Sequence, residues 1–278
     1  YAWEQGVQRF GVPDLIDEFQ SKRYGLRLEF LRFLERLVVK YADVIITPSQ
    51  YLQRIVSGWG VPPEKISVIP NAVDIPAAVL PKKEARQKLG IAEHEYIIVS
   101  SGRLVPWKGF GALIDTMQKV VGTFPGAKLF IIGDGPEKQR LVSKVSRLGL
   151  GVTVELVGGL PRATLFDYLS AADIFILNTG YEGFSHQIAE AMAFGLPVIT
   201  TKVGGNPEAI RHGENGILVG YNAEDEIIAW LKTLLGDKAL RERLGSVAAE
   251  TKDLFTKEAM AKRFAGCLSI HLTPEHGL

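Results

Sequence analysis

Residues 96–110 read YIIVSSGRLVPWKGF: six strand-forming residues, a turn holding Gly102 and Pro106, then Gly109 and the start of an amphipathic run. A short apolar run closed by glycine and followed by helical periodicity is the first half of a βαβ unit. The same unit recurs downstream. Strands are predicted at 96–101, 127–133, 152–157, 173–179, 197–201 and 216–219, with helices at 109–124, 136–148, 162–172, 185–194 and 223–235. Strands that are apolar almost throughout belong to a sheet covered on both faces, so the fold class is α/β, a Rossmann-like doubly wound parallel sheet. The helix at 185–194 is punctuated at both ends: Ser185 is an N-cap residue, Gly195 follows the last turn, and Pro197 forbids continuation.

Upstream the pattern thins. Residues 26–41 predict a long helix, 43–47 a strand, Ser49 the start of another helix, and 66–69 a second strand. Two strands do not close a sheet. Residues 1–80 are therefore expected to be the C-terminal part of a preceding α/β domain and its linker, the linker itself lying at 76–83. Residues 81–255 are expected to form a complete ligand-binding domain. Residues 256–278 are expected to hold a C-terminal amphipathic helix, over 256–272 with Thr256 as its cap, packing back toward the N-terminal domain.

Composition narrows the function. At roughly 150 residues per domain, 278 residues give two domains. Thirty-two Lys and Arg against 31 Asp and Glu leave a net charge of +1, which lacks the basic field of a dedicated nucleic-acid binder. The single cysteine, Cys267, cannot close an internal disulfide and reads as core of the last helix, in keeping with a reducing, cytoplasmic setting. No run approaches the ~20 apolar residues a membrane-spanning helix needs. The first residue is Tyr1, without a signal-peptide pattern behind it, and the chain is expected to start inside a longer protein.

Open α/β sheets bind ligands beyond the carboxyl ends of their strands. After the strand at 96–101, Arg103 and Lys108 straddle a turn before a helix. A guanidinium fork and an ammonium beside a helix start suit a diphosphate, and the same spacing also fits two surface cations. After the second strand comes Gly133-Asp134-Gly135-Pro136, which admits a ligand to the backbone or makes a plain tight turn. It lacks the third glycine of the dinucleotide fingerprint, which argues against a nicotinamide enzyme. After the fourth strand comes Glu182-Gly183-Phe184-Ser185-His186, with Glu190 about one and a half turns into the helix. The amides of that loop suit an anionic oxygen, and the two carboxylates suit sugar hydroxyls. Ala189, Ala191, Met192 and Ala193 surround Glu190 with small or apolar residues, so a charge buried there requires a partner.

Several runs then occur in order: Ala42-Asp43-Val44-Ile45-Ile46-Thr47-Pro48-Ser49, Val68-Ile69-Pro70-Asn71-Ala72-Val73-Asp74, Gly102-Arg103 with Lys108-Gly109, Gly133-Asp134-Gly135-Pro136, Glu182-Gly183-Phe184 with Glu190, and Gly204-Gly205 with Glu208. Over roughly residues 41–220 the chain resembles the retaining nucleotide-sugar glycosyltransferases of family 4. The resemblance implies a GT-B fold, two facing Rossmann-like domains, with the donor domain whole and the acceptor domain truncated. It implies that Arg103 and Lys108 clamp the leaving diphosphate, that Glu190 binds the ribose, and that Glu182 with the backbone of Gly183, Phe184 and Ser185 holds the hexose. Gly102, Gly133, Gly135 and the loop at 158–161 would lie beside the nucleotide. His186 stands at a variable position of the family pattern and reads as a helix-start surface residue. The family's glycine-rich loop and acceptor-side histidine would precede Tyr1.

The expected activity is metal-independent transfer of a hexose from a nucleoside diphosphate sugar, of UDP or GDP type, to a sugar, glycan or glycolipid hydroxyl with retention. No cofactor is expected, and the Asp-x-Asp pair of metal-dependent transferases is absent from the sequence. The alternatives are a sugar-nucleotide epimerase of the same fold and a non-catalytic nucleotide-binding fragment. Three lesser features have two readings each. Arg32, Arg36 and Lys40 fall at i, i+4 and i+8 of a helix, as a solvated face or as a stripe touching the cytoplasmic membrane peripherally. Trp107 stacks on a ligand or packs beside its turn. Glu208 is the family's helix-start acid or a local cap.

Overall fold

The computed structural model describes residues 2–76 and 79–272. The chain forms two compact units, one of the residues up to Asn71 with those from Glu258 on, the other Ala72–Lys257.

The first unit begins with α1 (Ala2–Phe10), α2 (Ile16–Ser21) and α3 (Leu26–Lys40), followed by β1 (Ile45–Thr47), α4 (Gln50–Ser57) and β2 (Ile66–Val68). The two strands run parallel, Ile45 opposite Ile66 and Thr47 opposite Val68. Ser49 caps α4 by accepting the Leu52 amide at 3.2 Å. The sequence reading did not anticipate α1 or α2. Both are short, and their anchors are tertiary: Trp3 is fully buried and its indole donates to the Asp14 carbonyl at 2.8 Å. Arg32 leaves the basic stripe, of which Arg36 and Lys40 stay exposed. It turns inward, donating to the carbonyls of Lys22 and Gln20 and to Glu29, and stacks 4.9 Å from the Phe19 ring.

The second unit holds α5 (Lys82–Leu89), β3 (Tyr96–Ser101), α6 (Phe110–Val121), β4 (Ala127–Ile132), α7 (Lys138–Arg147), β5 (Val154–Gly158), α8 (Arg162–Ala171), β6 (Ile174–Leu177), α9 (His186–Ala193), β7 (Val198–Thr201), α10 (Asn206–Ala209), β8 (Ile217–Val219), α11 (Glu224–Gly236) and α12 (Lys238–Ala249). All six strands are parallel, in the order β5-β4-β3-β6-β7-β8. This is the doubly wound sheet expected from the alternation. Successive strand residues point to opposite faces. Ile98, Leu129, Ile131, Ile174, Ile176 and Ile199 pack with α6, α7 and α11, while Ile97, Val99, Phe130, Phe175, Leu177 and Val198 pack with α8 and α9. Two cores thus clamp one sheet, which holds its strand ends rigidly in place.

The unit boundary falls after Asn71 rather than at 80. Residues 72–76 belong to the sheet domain because the Val73 amide donates to the Phe255 carbonyl at 2.8 Å and Asp74 pairs with Lys257. Lys82 and Lys83, expected in the linker, open α5, where Lys82 and Arg86 bracket Asp173 at 2.5 and 2.8 Å. Helix α12 was also missed, although Asp237 caps it through the Leu240 amide and Leu244 and Ala248 are fully buried at helical spacing. The last helix, α13 (Lys257–Leu272), returns to the first unit. Its buried Cys267 donates to Ser67 Oγ of β2 at 3.2 Å. Among the described residues no helix is long and apolar enough to cross a membrane.

Candidate functional site

A sheet ordered β5-β4-β3-β6-β7-β8 reverses direction between β3 and β6, and the crevice beyond that reversal is where such sheets bind ligands. The β3 strand ends in the turn carrying Arg103 and Lys108, and β6 ends in the loop carrying Glu182. The two loops are bolted together. Gly180 N donates to the Trp107 carbonyl at 2.7 Å, and Thr179 Oγ1 reaches the same carbonyl at 3.3 Å. Asn178, 1% exposed, donates to the Gly109 carbonyl at 3.0 Å and to Asn222 Oδ1 at 2.8 Å, and accepts the Asn222 amide at 2.9 Å. Gly109 has φ +55° and lies against Asn178 so closely that a Cβ would sit 2.8 Å from its Cγ. Only glycine fits there.

Lys108 Nζ and Glu182 Oε1 form a buried ion pair across this reversal. Residues expected to touch different parts of a donor thus touch each other. Burial pushes the Glu182 carboxyl above the ordinary glutamate range, with Lys108 pulling the other way. Arg103 is exposed and pairs with no carboxylate among the described residues, so its guanidinium is open to an anion. Beside it, the space on the side-chain side of Gly102 is bounded by the Lys108 ammonium at 3.9 Å. Trp107 is buried.

The glycines after β4 pack against the neighbouring strand-end loop. A Cβ on Gly133 would overlap the Gly102 carbonyl, and one on Gly135 would come within 2.7 Å of the Leu104 nitrogen. The two strand-end loops are stacked backbone on backbone, Leu104 N donating to the Asp134 carbonyl at 2.9 Å and Glu137 N to the Leu104 carbonyl at 3.0 Å. The missing side chains make room for the neighbouring loop. The Gly204-Gly205 turn works alike, since Gly205 N holds the Glu182 carbonyl at 2.8 Å and a Cβ on Gly204 would strike that carbonyl. Glu208 is exposed in the four-residue α10, its amide bonded to the Gly205 carbonyl.

Glu182 leads into α9, whose N-cap is Ser185, accepting the Ile188 amide at 3.3 Å. Gly195 follows the helix with φ +68°. The amides of Gly183, Phe184 and Ser185 meet no acceptor among the described residues and form a donor-rich loop beside the helix start. His186 is half-buried with its ring against Phe184, rather than lying on the surface. Burial, reinforced by Arg162, holds its imidazole below the usual histidine range. One turn further on, Glu190 is buried and takes the partner its setting requires: Arg162 Nη2 lies 2.5 Å from Oε1. Burial raises the Glu190 carboxyl, Arg162 opposing and Asp74 adding to the rise. Arg162 Nη2 also donates to the Asp74 carbonyl at 3.2 Å. The sequence reading did not single out Arg162 or Asn178. Arg162 was signalled only by the demand Glu190 makes. Among the described residues, no group of three or more His, Cys, Asp or Glu is placed to hold a metal ion.

Residues 81–251 match the family described as glycosyl transferases group 1, and residues 13–76 match glycosyltransferase family 4. The lipopolysaccharide core biosynthesis glycosyltransferase LpsD of Rhizobium meliloti is 28% identical over 95% of this chain and 72% of its own length. The D-inositol 3-phosphate glycosyltransferase of Corynebacterium glutamicum is 30% identical over 85% of this chain and 59% of its own length. The crystal structure of Anabaena HepE in complex with UDP-glucose aligns with a TM-score of 0.79 at 27% identity, covering 86% of this chain and 67% of HepE. The chain thus spans between about three-fifths and three-quarters of these proteins.

Proposed function

From the premise that the chain belongs to the glycosyl transferases group 1 family, we propose that it supplies the donor side of a glycosyltransferase that moves a hexose from a nucleoside diphosphate sugar to an acceptor hydroxyl. The observation that carries this is the junction of β3 and β6, where a free Arg103, the buried Lys108–Glu182 pair and the open amides of Gly183, Phe184 and Ser185 lie on two loops bolted together. That set combines cations for a diphosphate with a carboxylate for a sugar. The UDP-glucose complex of HepE supports a UDP-type donor, with GDP the other candidate. The acceptor is a sugar, glycan or glycolipid.

The chemistry follows from the charges. Transfer breaks the bond between the anomeric carbon and the β-phosphate oxygen, and the electron pair stays on that oxygen. Negative charge therefore grows on the diphosphate as the bond opens, and fixed cations and amides aimed at it stabilise the transition state more than the bound donor. Arg103 and Lys108 have this role. Glu182 accepts hexose hydroxyls and Glu190 ribose hydroxyls. With retention, the acceptor oxygen bonds the anomeric carbon on the face the phosphate leaves, and the departing phosphate takes the acceptor's proton.

Calorimetric titration with UDP, GDP and their sugar conjugates, with EDTA present, tests the reading. Binding is expected without a divalent ion. Glu182→Ala should weaken the sugar conjugate and leave the free nucleotide nearly unchanged, while Glu190→Ala should weaken both. Affinity seen only after adding Mg²⁺ or Mn²⁺, or equal losses for both ligands in both variants, would refute the assignment.

A further inference from the structure

Glu190 is held by one of its two oxygens. Oε1 takes the Arg162 guanidinium at 2.5 Å, while Oε2 meets no donor among the described residues. The fixed oxygen orients the carboxylate, and the second is the one left for a ribose hydroxyl. Arg162 is not committed to Glu190 alone. The same Nη2 donates to the Asp74 carbonyl at 3.2 Å, Nη1 lies 3.9 Å from Asp74 Oδ2, and the guanidinium sits 5.5 Å from the Phe166 ring one turn along α8. Asp74 in turn pairs with Lys257.

Asp74 and Lys257 stand near the two ends of the second unit, Ala72–Lys257. Those ends are joined to each other and to the start of α9: Val73 N donates to the Phe255 carbonyl at 2.8 Å, and Val73 and Phe255 pack with Ala189 and Phe184, the two rings 5.4 Å apart. The charged groups around Glu190 thus form a series. Arg162 reaches it from α8, Asp74 lies beyond Arg162 and Lys257 beyond Asp74, while His186, one turn earlier on α9, is also under the influence of Arg162. Sign alternates along the series, so each member decides how fully the one before it is engaged. Arg162 favours the ionised form of Glu190, Asp74 opposes it and competes for Arg162, and Lys257 satisfies Asp74.

We infer that Arg162 is a positioning residue of the nucleotide site: it aims the open oxygen of Glu190 at the ribose and makes nucleotide affinity answer to Asp74 and Lys257, at the two ends of the unit. The inference rests on the reading of Glu190 as the ribose carboxylate.

Two measurements on this chain test it together: carboxyl-carbon NMR of glutamate-labelled protein across pH, with the Glu190 resonance identified by its loss in Glu190→Gln, and calorimetry with UDP at each pH. Lys257→Gln should raise the Glu190 midpoint and weaken UDP about 2- to 5-fold on the acid side of neutrality, the contribution of an exposed ion pair. Asp74→Asn should move both quantities the other way. Asp74→Asn combined with Lys257→Gln should match Asp74→Asn alone, because Lys257 acts only through Asp74. All of these differences should fade in high salt. Arg162→Met should raise the midpoint furthest and weaken UDP most, and Arg162→Lys should restore part of both, with thermal unfolding reporting that each variant is folded. Should Arg162→Met fail to fold, the half-exposed Asp74 and Lys257 still decide the matter. A Glu190 midpoint unmoved by Lys257→Gln and by Asp74→Asn would overturn the proposal, and so would an effect of Lys257→Gln that persists in the double variant. Midpoints that shift as expected beside a UDP affinity that Glu190→Gln leaves unchanged would instead refute the ribose reading, and the shifted midpoints tell that result apart from a failure of the series.

Discussion

Lys108 and Glu182 pair across the reversal of the sheet while their neighbours Gly109 and Asn178 lock the same two loops by hydrogen bonding. The pair is nearly sealed from water, each side chain about one-tenth exposed. Removing one member of such a pair strands the other, which typically costs about 3–5 kcal/mol, whereas replacing both with neutral groups of similar shape is far milder. Lys108→Met should therefore lower unfolding free energy by an amount in that range, and the further change Glu182→Gln should recover most of it. Because burial raises the Glu182 carboxyl, the stranded acid is neutral at low pH, so the loss in Lys108→Met should grow as pH rises. Urea unfolding of the two single variants and the double variant checks this. Additive losses would mean that the pair contributes nothing beyond its separate members.

Arg103 is the opposite case. An exposed side chain without an ion-pair partner should be replaceable at a cost within about 0.5 kcal/mol of stability. Its contribution is expected in turnover, where charge on the leaving phosphate is greatest. Losing one charge-assisted hydrogen bond is worth about 1.5–3 kcal/mol, or about 10- to 150-fold, and Arg103→Ala should show that factor mainly in kcat. An unchanged kcat in active protein would return Arg103 to the reading of an ordinary surface cation.

The difference between these residues explains how much the sequence could disclose. Strands such as 96–101 and 174–177 were legible because nearly every position is buried on one face or the other, and α9 because Ser185 and Gly195 mark its ends. The burial of Glu190 followed from its small apolar neighbours. Its partner did not, because Arg162 reaches it from another helix and no local pattern records that. Gly133 and Gly135 were visible as turn glycines, but the Gly102 carbonyl and the Leu104 backbone that fill their space come from a separate loop. Arg32 shows the same limit: a charged residue at helical spacing looks solvated until the carbonyls of Gln20 and Lys22 fold around it.

Asn178 is expected to act as a positioning residue. Asn178→Asp keeps the acceptor for the Asn222 amide but replaces the buried donor to the Gly109 carbonyl and to Asn222 Oδ1 with an acceptor facing two oxygens, at a cost of about 1–3 kcal/mol or more. The turn that carries Lys108 should loosen as a result. Assayed well below its melting temperature, where all the protein is folded, the variant should show a reduced kcat with KM nearly unchanged. A wild-type kcat under those conditions would confine Asn178 to stability.

Glu190 should produce two pH dependences of opposite sign from one shift. Its carboxyl titrates above the ordinary range in the folded state, so between the unfolded and folded values the folded protein binds the extra proton. Its contribution to stability is therefore greatest at low pH and falls as pH rises through that window. In the proposed role Glu190 accepts ribose hydroxyls as the ionised carboxylate, so nucleotide affinity should rise through the upper part of the same window. Other carboxylates, among them Asp74 and Glu95, titrate below their usual range and contribute slopes of the contrary sense to stability. The informative quantity is thus the difference between wild type and Glu190→Gln. That variant cannot ionise and keeps a similar shape, while Arg162 is half-exposed and can turn to water. The difference in unfolding free energy should shift in favour of the variant as pH rises. The difference in UDP affinity should shift in favour of wild type, reaching about 5- to 10-fold at neutral pH for a charge-assisted bond replaced by a neutral one. Thermal unfolding and calorimetry across the acidic range give both curves. Parallel pH profiles for wild type and Glu190→Gln in the binding experiment would remove Glu190 from the ribose site, even with the predicted stability difference in place.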